Sequence, residues 1–366
     1  MSIVNVYYSK KIISKYKYLF YFYFSSFSYY WRPKYKPHPI PIKLKSMLNS
    51  KHRRNQNEDS ENVKVKTKVF KRHNVIKNIH SLKVTCLIQL NDLRIATGNK
   101  DISISIFVIN HSTNEWHQCI QQQDCHEGSI ISLCEVIHSS INKLISCSSD
   151  FSFKIWNILP NELILIKTII SHTHWVNKVI SLTNRRIASC SIDHTIKIWE
   201  SFDPFQLLLT LKESNEIVSI LQLKGKEELV ISCRNKYISF WNTNKYVKEH
   251  IVNGYYVSMP NHMIELQNGN IAVSSFTDNN PIIIIDTNIY EVVKKIELEE
   301  YITAPSSLCV LDDHSFIYVY EENLLQISIH DYQVIYKTKD LSGVCGIFGI
   351  IVIGGGKYIA VDEERN

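Results

Sequence analysis

The chain has 366 residues, 45% hydrophobic and 21% charged, a balance that suits a packed globular body; 11 Gly and 9 Pro exclude a collagen-like or Pro/Gly-rich low-complexity chain. The formal net charge of +6 divides unevenly. Residues 1–72 hold 17 Lys/Arg against 3 Asp/Glu, and residues 73–366 hold 24 against 32, so a basic segment precedes an acidic body.

Residues 1–72 read as a basic, aromatic-rich extension without regular structure. The uncharged run from Tyr18 to Trp31 falls short of the ~20 apolar residues of a membrane-spanning helix, and no signal-peptide cleavage pattern follows it. Lys/Arg-rich residues 32–72 are the one part suited by charge to RNA or to an anionic membrane surface. Met47 offers a second start, and the native chain is expected to begin there. Residues 49–62, "NSKHRRNQNEDSEN", are wholly polar and read as a linker.

From residue 73 onward the pattern changes. "RIATGNKDISISIF" ends at Phe107, "LISCSSDFSFKIW" at Trp156, "RIASCSIDHTIKIW" at Trp199 and "LVISCRNKYISFW" at Trp241. Fainter copies end at Ile285, Ile327 and Val361, so successive endpoints lie 49, 43, 42, 44, 42 and 34 residues apart. Each copy is preceded by a short β-branched run and a turn cluster, as in "VNKVISLTN" before Arg185, and is followed by another run, as in "FQLLLTLK". Four short strands in about 43 residues, with no sustained helical period, predict an all-β propeller.

With its His before the first strand, Ser or Thr on the second, Asp in a tight hairpin and Trp closing the third, the body resembles the WD-repeat (WD40) β-propeller family. The resemblance is clearest between "SHTHWV" at 171–176 and "KIW" at 197–199. Trp-Asp itself is replaced by Trp156-Asn157, Trp199-Glu200 and Trp241-Asn242, and the last three units have no Trp. The resemblance implies a seven-bladed propeller over residues 73–366, in which "HNVIKNIH" at 73–80 supplies the outer strand that the last unit lacks and so clasps the ring.

It also implies a role for the residues that look most chemical. "SCSIDHTIKIW" at 189–199 offers a hydroxyl, a thiol, a carboxylate and an imidazole within six positions, the residue types of a hydrolase. By resemblance, however, His172, Ser189, Asp193 and Trp199 form one buried hydrogen-bond chain, as do His126, Ser146, Asp150 and Trp156. His80, Thr97 and Asp101 start a third, where Phe107 replaces the Trp. A catalytic set would not be copied from unit to unit, so no catalytic residue is assigned.

All nine cysteines lie in the body without a CxxC pair, which suits reduced thiols and a cytoplasmic or nuclear location. His117, Cys119, Cys125 and His126 match no zinc-ligand spacing, and "GGG" at 354–356 lacks the Lys-Ser/Thr of a phosphate loop. No metal, cofactor or small-molecule substrate is expected. The expected function is a non-enzymatic intracellular scaffold for protein partners, with Lys100, Ser149, Phe151, His174, Trp175, Ile192 and His194 on the binding face. The alternative makes the propeller a hub whose basic residues 32–72 hold RNA or an anionic membrane.

Overall fold

The second strands of the repeats are among the most completely buried stretches, and their burial explains the architecture. Ile95–Asn99, Lys143–Ser148, Arg186–Ser191, Glu228–Cys233 and Ile271–Ser275 are buried along almost their whole length. A strand hidden on both faces must lie between two other layers, so each repeat forms a sheet sandwiched between its neighbours. In the computed structural model the described residues are 2–8, 71–80, 84–110, 115–136, 142–234, 237–253, 260–275, 282–298, 306–320, 323–338, 345–352 and 358–363. No helix of the described residues is long and apolar enough to cross a membrane.

Strands β1 (Ser2–Tyr8) and β2 (Lys71–His80) precede the regular repeats. Blade 1 is β3 (Val84–Gln89), β4 (Ile95–Asn99), β5 (Ile104–Asn110) and β6 (Glu115–Gln122). Blade 2 is β7 (Ile130–Val136), β8 (Lys143–Ser148), β9 (Ser152–Ile158) and β10 (Leu163–Ile170). Blade 3 is β11 (Val176–Leu182), β12 (Arg186–Ser191), β13 (Thr195–Glu200) and β14 (Leu207–Lys212). Blade 4 is β15 (Ile217–Gln222), β16 (Glu228–Cys233), β17 (Tyr237–Asn242) and β18 (Lys248–Asn253). Blade 5 is β19 (Pro260–Glu265), β20 (Ile271–Ser275), β21 (Ile282–Asp286) and β22 (Glu291–Ile296), and blade 6 is β23 (Ser306–Asp312), β24 (Ser315–Tyr320), β25 (Asn323–Ser328) and β26 (Val334–Thr338). The chain ends in β27 (Cys345–Val352) and β28 (Tyr358–Glu363).

Each blade is an antiparallel meander of four consecutive strands. The first strand is innermost, as the packing of β3 on β7, β7 on β11, β11 on β15, β15 on β19 and β19 on β23 shows. The outermost strands leave most of their side chains in solvent, as in Leu163–Ile170. Between consecutive blades lies a wedge of buried side chains. Trp156 packs with Ile104, Ile106 and Ile130 between blades 1 and 2, Trp199 with Ile145, Phe153 and Val176 between 2 and 3, and Trp241 with Ile196, Ile198 and Ile217 between 3 and 4.

The expected seven units need a correction. Six blades are built from consecutive strands; the remaining sheet is composite, in the order β2-β1-β28-β27. The C-terminal hairpin supplies only two of its strands, which leaves one edge of β28 to be covered. Residues 73–80 do lie in this sheet within β2, but they do not pair with β28. Ser2–Tyr8 stands between them, with Val4 opposite Val361 of β28 on one side and Ile76 of β2 on the other. The expectation of an unstructured 1–72 is revised accordingly at Ser2–Tyr8 and at Lys71 and Arg72, which are strand residues. Residues 9–70, with the Tyr18–Trp31 run, Met47 and nearly all of the basic stretch 32–72, lie outside the described residues, as does the 354–356 triplet.

Candidate partner-binding face and its buried supports

Blade 3 shows how the sequence pattern becomes geometry. Ile196 and Ile198 pack into the wedge between blades 3 and 4 while Trp199, at the end of β13, packs into the wedge between blades 2 and 3, which turns its indole Nε1 toward β12. There it donates to Ser189 Oγ at 3.0 Å. Ser189 Oγ lies 2.9 Å from His172 Nε2, and His172 Nδ1 lies 2.8 Å from Asp193 Oδ2. The Asp193 carboxylate can only accept, which places an imidazole proton on Nδ1; in the neutral ring Nε2 then accepts from the Ser189 hydroxyl. Asp193 also accepts from the Thr173 and Thr195 amides, each at 3.0 Å, and from Thr195 Oγ1 at 2.6 Å.

Blade 2 repeats the arrangement. Trp156 Nε1 donates to Ser146 Oγ at 2.9 Å, Ser146 lies 2.7 Å from His126 Nε2, and His126 Nδ1 lies 2.8 Å from Asp150 Oδ2. Burial by itself would raise both carboxyls, but the hydrogen bonds from His126 and Ser152 to Asp150, and from His172 and Thr195 to Asp193, outweigh it and hold both far below their ordinary value of 3.8. Gly128 marks how closely the chain passes here: a Cβ would lie 2.5 Å from Ser149 Oγ and 2.9 Å from the Asp150 nitrogen.

In blade 1, Asp101 accepts from Ser103 Oγ at 2.6 Å and Thr97 Oγ1 donates to the Ser105 carbonyl at 3.4 Å. His80 ends β2, and its side chain lies outside the described residues. Blade 4 has a buried cluster that sequence reasoning missed. Glu213 carries a fully buried carboxylate that accepts from Trp241 Nε1 at 2.7 Å, Ser239 Oγ at 2.6 Å, Tyr237 Oη at 3.0 Å and Lys248 Nζ at 2.6 Å. It sits one residue before the position of His126 and His172; its amide donates to the His194 carbonyl, as the Cys125 amide does to the Ile102 carbonyl. The signal was a Trp without an upstream His.

The supports carry a surface. Asp150 and Asp193 open tight hairpins whose next residues, Phe151 and His194, adopt left-handed backbone at φ 70° and 69°, as does Ile102 at φ 60° in blade 1. Left-handed geometry costs a side-chain-bearing residue roughly 1–2 kcal/mol. Phe151 is 38% exposed, and its ring lies 5.5 Å from that of His174, which lies 5.6 Å from that of Trp175. The Ile192 amide donates to the Trp175 carbonyl at 3.1 Å, Ser191 Oγ to the His174 carbonyl at 3.1 Å, and the Trp175 amide to His174 Nδ1 at 2.8 Å. The rings therefore sit on a backbone already fixed. Trp175 is half-buried, as are Lys100, Ser149, His174 and Ile192; His194 is exposed.

These two complete networks fall within the stretch that the WD domain, G-beta repeat family matches, residues 117–157 and 164–200. Residues 117–157 and 164–200 are thus WD repeats within a β-propeller fold. The repeat regularity extends beyond the matched residues, as blades 1 and 4 to 6 show. Ninety residues are 33% identical to nuclear distribution protein PAC1 of Komagataella phaffii, covering 24% of this chain and 17% of that protein. A span of 245 residues is 24% identical to the p21-activated protein kinase-interacting protein 1-like of Xenopus laevis, covering 63% of this chain and 58% of that one. The chain thus matches less than two thirds of either curated relative's length. The crystal structure of the WD40 β-propeller domain of Doa1 superposes with a TM-score of 0.61 at 14% identity, covering 78% of this chain and 95% of that domain. That likeness concerns the fold.

The outer hairpins hold a second recurring device. Tyr246, Tyr290 and Tyr332 have φ of 54°, 58° and 58°, and each phenol reaches back to the preceding blade. Tyr246 meets Arg186, Tyr290 meets Glu228, and Tyr332 accepts from Asn268 and Asn270 Nδ2, both at 2.8 Å. Arg186, Glu228 and Asn270 lie at the start of successive second strands. The "NTNKY" at 242–246 and "DTNIY" at 286–290 were the available signal.

Proposed function

We propose that this propeller is a non-enzymatic scaffold in an intracellular complex and that it docks a protein partner over Phe151, His174 and Trp175. The observation that carries this is the three-ring contact bridging blades 2 and 3. A half-buried aromatic group on a pre-ordered loop binds with little loss of conformational freedom, and aromatic residues dominate interface hot spots. Lys100, Ser149, Ile192 and His194 rim the same side of the hairpins. The His–Ser–Asp sets are read as supports: each hydroxyl is already engaged by an indole on one side and an imidazole on the other, which leaves no poised nucleophile.

The Xenopus relative, a p21-activated protein kinase-interacting protein 1-like, gives a protein-binding precedent among relatives. We also read the composite β2-β1-β28-β27 sheet as a seventh blade that closes the ring, because β27 lies against both β23 and β3. The test is co-purification of the tagged full chain beside Phe151→Ala/Trp175→Ala. Loss of a stoichiometric protein from a folded variant supports the docking face; retention, or a bound RNA in place of a protein, refutes it.

A further inference from the structure

The centre of the ring holds an ammonium group without a carboxylate. Five innermost strands share one irregularity: the strand pairing skips the second residue, at Thr85, Ile131, Asn177, Val218 and Asn261, and resumes at the third. The third residues are therefore one layer of the ring, and they are Cys86, Ser132, Lys178, Ser219 and His262. Four of these side chains are neutral hydrogen-bonding groups and the fifth, Lys178, is a cation. Acidic residues of the innermost strands, Glu135, Glu265 and Asp312, stand three or more positions further along; β27, "CGIFGIIV", has none.

Lys178 Nζ reaches the next blade and donates to Ser219 Oγ at 3.2 Å. An ammonium carries three donors. Among the described residues its charged surroundings contain no carboxylate; its electrostatic neighbours are the thiols of Cys134 and Cys190, pushed up to about 12 by burial, and of Cys147, pushed well up by burial, all therefore neutral. His262 lies near enough for the Lys178 charge to act on it, and burial together with that charge lowers the imidazole to about 3. His262 Nδ1 accepts from the Leu308 amide at 3.1 Å, so the neutral ring carries its proton on Nε2 as a donor. Lys178 is half-buried, and even partial desolvation of a cation without a counter-charge is unfavourable; a small anion would supply both the charge and the acceptors.

We infer that the central layer is a binding site for a small tetrahedral oxyanion of the phosphate class, held by Lys178 Nζ and His262 Nε2 beside Ser219. A tetrahedral oxyanion offers acceptors in several directions, matching donors that come from blades 3, 4 and 5 around one axis. The site is separate from the aromatic face and does not depend on it.

The full chain is titrated with sodium phosphate and with sodium sulfate while ionic strength is held constant with chloride, and its melting midpoint is followed. The expected result is a saturable rise of several degrees with phosphate, abolished in Lys178→Met. That variant also melts higher than the native chain in chloride alone, because its uncompensated charge is gone. If Lys178→Met does not fold, Ser219→Ala and calorimetric titration of the native chain with phosphate replace it; one-to-one heat that weakens in Ser219→Ala supports the site. No saturable shift in the native chain, or an equal shift in Lys178→Met, overturns it.

Discussion

The Trp241 indole and the Glu213 carboxylate, 2.7 Å apart, are the blade 4 counterpart of the Trp–Ser–His–Asp relay in blades 2 and 3. A short hydroxyl relay gives way to one long acidic side chain that collects four donors. Removing it should be costly: Glu213→Ala leaves Trp241 Nε1, Tyr237 Oη and Lys248 Nζ without their shared acceptor, and truncating one partner of a buried charged pair costs about 3–5 kcal/mol. Urea unfolding measures this. Glu213→Gln, which keeps an acceptor oxygen, should lose clearly less.

The relays in blades 2 and 3 are predicted to act as units. Ser189→Ala strands both the Trp199 N–H and His172 Nε2, at about 1–3 kcal/mol per unsatisfied group, whereas Trp199→Phe removes the donor and leaves Ser189 bonded to His172. A double-mutant cycle between the two positions should show a coupling above ~0.5 kcal/mol. Additive losses would mean that the indole–hydroxyl bond contributes little.

Acid should weaken the protein through Asp150 and Asp193. Both carboxyls sit below 3.8 in the folded state. The stability they contribute is therefore fully present above their unfolded value near 3.8, and it is lost as pH falls through that value toward the folded one. A series of melting midpoints from pH 6 to pH 2 should show a decline below about pH 4 that is shallower in Asp150→Asn/Asp193→Asn. The double variant should start lower at pH 6, having lost the ionic hydrogen bonds.

Phe151 and Leu93 share a left-handed backbone, both at φ 70°. Glycine relieves that geometry, so each →Gly variant should unfold at higher denaturant, by up to about 1 kcal/mol. Their functional effects should differ. Leu93→Gly leaves partner capture unchanged, and Phe151→Gly weakens it. Stabilisation of Leu93→Gly alone would show that the Phe151 ring contributes packing that offsets its strain.

Much of this was legible in the sequence because the repeat carries chemistry as well as apolar rhythm. Ser189, Asp193 and Trp199 recur in register with Ser146, Asp150 and Trp156, so the two networks could be placed residue by residue. Glu213 was not legible because it departs from the pattern by one position and by residue type. Strand pairing over long separations was the other blind spot. Ser2–Tyr8 shares no repeat feature with the body, and nothing local in its seven residues says that it pairs with Tyr358–Glu363. Trp175 is half-buried on a loop whose backbone the Ile192 amide holds, a tertiary placement that residue type does not encode.

The most direct test compares Ser189→Ala with Trp175→Ala in one experiment, measuring urea stability and partner capture at a temperature where both variants are folded. The account predicts that Ser189→Ala loses stability and keeps its partner, while Trp175→Ala keeps stability and loses its partner. The opposite pattern, with capture or turnover following Ser189 and folding following Trp175, would contradict it.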